Sequence, residues 1–159
     1  MKKSHKKTQL QKFTLMENAI DSLHHAVAHM TESGMSDVSN IKRAMLDVFH
    51  ALELLLKEKL RRISPALVCR TIDKPQLNYN HTVSVDEAMT RLMHLEGTPL
   101  LMTMSKTVAR CNKIRNDIMH YEFQIEVDEA KAILGKMLSL LFQCKNKIFL
   151  AKFKTNWFC

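Results

Sequence analysis

Apolar residues recur at intervals of three and four through most of the chain. Phe13, Met16, Ile20, Leu23, Val27 and Met30 form one such series, which predicts a helix from about Thr8 to Glu32. Gly34 lies where a left-handed residue would close it. Ile41, Met45, Val48, Leu52, Leu55, Leu56 and Leu60 form the second series, with Ser39 or Asn40 as its cap and a stop before Pro65. Two helices of this length with a short connection predict an antiparallel hairpin. Residues 64–83 lose the period and carry Pro65, Pro75, Asn78 and Asn80, so they read as a long loop. Ser84 followed by Glu87 is a capping box that opens a short helix to about His94.

Gly97-Thr98-Pro99 punctuates, and a fourth helix follows to Met119, with Met104, Val108, Cys111, Ile114 or Arg115, and Ile118 on one side. After Tyr121–Val127, Asp128 is positioned to cap a last helix through Ile133, Met137, Leu140, Leu141, Cys144 and Ile148. The pattern predicts a single domain over 1–159, an all-α, up-and-down bundle of four to five helices.

Composition supports this reading. Three Gly and three Pro make about 4% of 159 residues, against roughly 12% in average proteins, too few for a turn-rich sandwich or barrel. No apolar run approaches the roughly 18 residues of a membrane span, so membrane insertion is not expected. Cys69, Cys111, Cys144 and Cys159 are far apart with no CxxC, and no apolar stretch follows the basic N-terminus. A reduced, cytoplasmic chain with free thiols is the simplest expectation.

The net charge of +8 comes from the ends. Residues 1–12 hold five lysines and residues 145–159 hold four, with no acid in either stretch. Taking those nine from the 24 bases leaves 15 against 16 acids, a body of net −1. Such tails either add affinity for RNA or simply solubilise. The last stretch interleaves its lysines with Phe149, Phe153, Trp157 and Phe158, a spacing that suits packing on the bundle better than base stacking.

The densest polar chemistry is on the fourth helix: Arg110, Asn112, Lys113, Arg115, Asn116, Asp117 and His120. A guanidinium clasps phosphate oxygens and stabilises the charge that grows on them during cleavage. An imidazole exchanges protons near neutral pH, and RNA supplies its own 2′-hydroxyl nucleophile, so such a site needs no metal or cofactor. His120 lies five positions after Arg115, about 140° around an ideal helix. They meet only where the helix ends or where a second chain faces it. On spacing alone, the plainer account is a surface arginine and a histidine that ends a helix. Asp21, His25 and His29, spaced by four on the first helix, read as a solvated stripe rather than a zinc site.

The segment Arg115-Asn116-Asp117-Ile118-Met119-His120 resembles the RX4–6H motif of the HEPN superfamily, whose pattern includes a polar residue directly after the arginine. Phe49-His50-Ala51-Leu52-Glu53-Leu54-Leu55-Leu56-Lys57 resembles the second helix of that family, and the likeness extends over about residues 10–150. The resemblance implies a helical bundle that dimerises with its motif helices side by side. It also implies a metal-independent endoribonuclease acting as a toxin or antiphage effector, with Arg and His from both subunits in one cleft.

Carried over to this chain, Arg115 holds the scissile phosphate, His120 is general acid or base, and Asn116 orients or binds. Arg110, Lys113 and Tyr121 are weaker RNA-contact candidates, and Glu53 and Lys57 are weak supporting candidates whose spacing is better read as an exposed ion pair. Some members are inhibited by an antitoxin that modifies a tyrosine two residues after the histidine; that position here is Glu122, with Tyr121 one residue earlier. The reading from another class is a non-catalytic helical module that binds a protein or nucleic acid.

Overall fold

The computed structural model describes residues 12–31, 37–73, 78–97, 99–122 and 124–153. Among these it holds five α-helices: α1 (Leu15–Thr31), α2 (Val38–Ile63), α3 (Val85–Glu96), α4 (Pro99–His120) and α5 (Val127–Phe153). A 3-10 turn spans Pro65–Val68, and the described residues contain no strand beyond one isolated bridge between Cys69 and Thr82. The all-α bundle expected from the sequence is the fold. No described helix is long and apolar enough to cross a membrane.

The apolar series of α2 is buried at every position named above, and α2 packs against each of the other four helices. From Ala51 to Leu60 it is buried nearly all round, as expected of a helix at the centre of a bundle. Val108, Cys111, Ile114 and Ile118 of α4, and Ile133, Met137, Leu140 and Leu141 of α5, complete the core. The side chains of Met104, Cys144, Ile148 and the C-terminal aromatics lie outside the described residues, as do Gly34 and Lys2, Lys3, Lys6 and Lys7.

Several helix limits differ from the expectation. α1 starts at Leu15 rather than near Thr8, because Thr14 and Glu17 form a capping box: Glu17 N donates to Thr14 Oγ1 at 3.1 Å and Thr14 N to Glu17 Oε2 at 2.8 Å. Its contact face is also rotated. Ala19, Ser22 and Ala26 are buried, whereas Phe13 and Val27 are exposed. Small residues on the seam let the α1 and α2 backbones approach, and Met16, Leu23 and Met30 pack along its flanks. α2 is capped by Asp37, which accepts from Ser39 N at 2.9 Å, so neither Ser39 nor Asn40 is the cap. Asp128 lies within the first turn of α5 rather than before it.

At α3 the expected capping box is present, with both bonds formed between Ser84 and Glu87; the helix runs on to Glu96, past the expected end near His94, and Gly97 closes it in the left-handed conformation at φ 56°. The described part of the long loop is pinned to the bundle. Arg70 N donates to His81 O and Val83 N to Val68 O. Arg91 Nη1 donates to the carbonyls of Leu67 and Cys69, each at 2.7 Å, and its Nη2 to that of Arg70 at 2.9 Å. One guanidinium on α3 thus satisfies three carbonyls of the loop.

Candidate functional site

α4 runs unbroken to His120, so its cluster is displayed on a regular cylinder. Ile114 and Ile118 face the core, which leaves Arg115 half-buried at the edge between α4 and α2. Its guanidinium lies 6.0 Å from the centre of the Phe49 ring, within cation–π range. Arg115 Nη1 donates to Asn116 Oδ1 at 3.0 Å, so the neighbour named in the motif holds the arginine directly.

Arg115 borders a cleft of about 200 Å³ lined also by Leu46, Asp47, Phe49, His50, Glu53 and Met119. The α2 residues recur at three and four and form one stripe opposite α4. Asp47 and His50 escape a sequence reading because a polar residue on an apolar helix looks like a solvated position. The periodicity alone gives no sign that α4 crosses just there.

Asp47 is partly buried, and burial pushes its carboxyl above the usual carboxylate range; His29, then His25 and His50, pull it back down. His29 Nε2 is 3.8 Å from Asp47 Oδ2 across the α1–α2 seam. His29 is therefore not part of the solvated stripe expected from its spacing, although His25 and Asp21, 3.7 Å apart, are exposed. No group of three metal-ligating side chains occurs among the described residues.

Glu53 and Lys57 do pair, at 2.5 Å, but the pair is not exposed. Lys57 is buried and also donates to Thr82 Oγ1 at 2.8 Å, which ties the cleft's carboxylate to the loop. Glu53 faces the cleft and Lys57 stands behind it.

The other candidates lie apart. His120 is exposed at the last position of α4 and does not line the cleft, and Tyr121 is 83% exposed just beyond it. Within one chain, Arg115 and His120 therefore present different faces, as 140° of helical rotation requires. Arg110 is held by Glu129 of α5 at 2.7 Å and Lys113 by Asp117 at 3.1 Å. Asn112 donates to Asp86 of α3 at 2.6 Å. Burial pushes the Cys111 thiol up to about 11 while Arg110 pulls weakly the other way, so this thiol is no nucleophile near neutral pH.

Comparison of the chain with protein-family models, with curated proteins and with solved structures finds no match.

Proposed function

We propose that the chain is a metal-independent endoribonuclease of the HEPN type, working as a homodimer and serving as a toxin or antiphage effector. One observation carries this reading. Arg115 is held half-buried over Phe49 by Asn116, while His120 is exposed at the end of the same unbroken helix. A side-by-side second copy brings His120 of one chain to the Arg115 cleft of the other, which a single chain does not do.

In this reading Arg115 binds the scissile phosphate and stabilises the charge that builds on its non-bridging oxygens. His120 takes the proton of the 2′-hydroxyl as the 2′-oxygen attacks phosphorus. The bond to the 5′-oxygen breaks and that oxygen leaves with the electron pair, taking a proton from water. The products are a 2′,3′-cyclic phosphate and a 5′-hydroxyl.

The test is cleavage of a mixed-sequence RNA by purified protein in EDTA. Wild type cleaves, and Arg115→Ala and His120→Ala each lower the rate at least about 100-fold. Activity that survives either substitution removes this site.

A second reading, a non-catalytic helical module for a protein partner or nucleic acid, has one observation in its favour. Arg110 and Lys113 each already hold an acid within the chain, which reduces the free positive charge around Arg115. It predicts no cleavage, and RNA binding that falls steeply with salt but is indifferent to His120→Ala.

A further inference from the structure

The lining of the cleft beside Arg115 suits a base better than a phosphate. It places two carboxylates, Asp47 and Glu53, and one imidazole, His50, against a single guanidinium, Arg115. A phosphate seated among them would meet two like charges. A neutral ring carrying N–H donors would satisfy them.

The apolar part of the lining is Leu46, Phe49 and Met119, surfaces for the faces of a flat ring. At about 200 Å³ the cleft is smaller than the roughly 300–1,000 Å³ of drug-sized pockets, a size suited to one bicyclic ring with its sugar left outside. Both carboxylates are partly withdrawn from water, Glu53 with Lys57 paired behind it and Asp47 beside the α1–α2 seam. Hydrogen bonds to charged acceptors in such surroundings discriminate strongly.

We infer that this cleft seats a guanine base of the RNA. Guanine presents N1–H and the 2-amino group on one edge, donors matched to a carboxylate. On the other it presents O6 and N7, acceptors for the imidazole N–H of His50, which leaves Arg115 to the phosphate. Uracil offers two carbonyls and one N–H, which sets an acceptor against a carboxylate. Hypoxanthine keeps guanine's shape but lacks the 2-amino donor. The inference rests on the ribonuclease reading, since the seated base is the neighbour of the phosphate that Arg115 holds. It adds Asp47 and Glu53 as the residues that set base preference.

The test is titration of the full chain with 5′-GMP, 5′-IMP and 5′-UMP, followed by NMR chemical shifts. GMP should bind at least about tenfold more tightly than IMP, the effect of one charge-assisted hydrogen bond, and more tightly again than UMP. Asp47→Asn and Glu53→Gln keep shape and volume, and each should bring GMP and IMP closer together. His120→Ala should leave the preference intact.

Equal binding of GMP and IMP, or a preference that survives both carboxamide substitutions, overturns the inference. RNA cleavage in EDTA with GMP and IMP bound equally sinks the base pocket and spares the nuclease. A carboxylate-dependent GMP preference in a chain that cleaves no RNA sinks the nuclease and spares the pocket.

Discussion

Glu58 shows how a charged residue is made compatible with the middle of the bundle. It is 2% exposed on α2, yet it accepts from Arg61 Nε at 2.7 Å, Arg61 Nη2 at 2.9 Å and Arg62 Nε at 2.8 Å. Burial alone would raise its pKa, but the two arginines outweigh burial and hold the carboxyl below its ordinary value. A depressed pKa means that the folded state favours the ionised form. This contribution is present above the unfolded value near 4.5 and is lost as pH falls below it. Glu58→Gln should therefore cost about 1–2 kcal/mol at pH 7, read as a lower urea midpoint with unchanged slope, because the arginines keep partial access to water. The difference from wild type should narrow on acidification.

At the scale of elements, the capping box of α3 was legible because its two residues are three positions apart and act locally. Its carboxylate is depressed to about 2 by the Ser84 backbone N–H first and Arg70 second. Stability from Glu87 is thus present above about pH 4.5 and disappears as pH drops towards 2. Glu87→Gln mimics the protonated form. It should be less stable than wild type at pH 7 by under about 1 kcal/mol after solvent screening, and equal to it near pH 2 by thermal melting.

The α1 seam and the loop were less legible. Periodicity marks large apolar residues, whereas the seam of α1 is made by Ala19, Ser22 and Ala26. The loop owes its order to Arg91 and Lys57, whose partners lie 21 to 25 residues away. No local pattern encodes such pairs.

For the whole molecule, the sequence was enough for the architecture, because a shortage of Gly and Pro and one continuous apolar series on α2 leave little else to build. The candidate site was half legible. Its motif lies in one stretch of α4, while its floor, Asp47, His50 and Glu53, is formed only when α2 packs across from it.

The proposed dimer has a consequence that neither helix has alone. If each site draws Arg115 from one chain and His120 from the other, a refolded equimolar mixture of Arg115→Ala and His120→Ala proteins contains hybrid dimers with one intact site. Such a mixture should recover about a quarter of wild-type activity, since half the dimers are hybrid and half their sites are whole. A mixture as inactive as its components would show that both residues are needed from the same chain.

Between residues 44 and 60 of α2, every side chain is buried except Leu46, Asp47, His50, Glu53 and Lys59. Lys59 is paired with Glu96, and the other four all line the cleft. The helix that carries the core therefore leaves four places where its chemistry can vary without opening a void. Over generations of substitution, the fold constrains nearly every other letter of that segment, and what the cleft recognises can drift at these four.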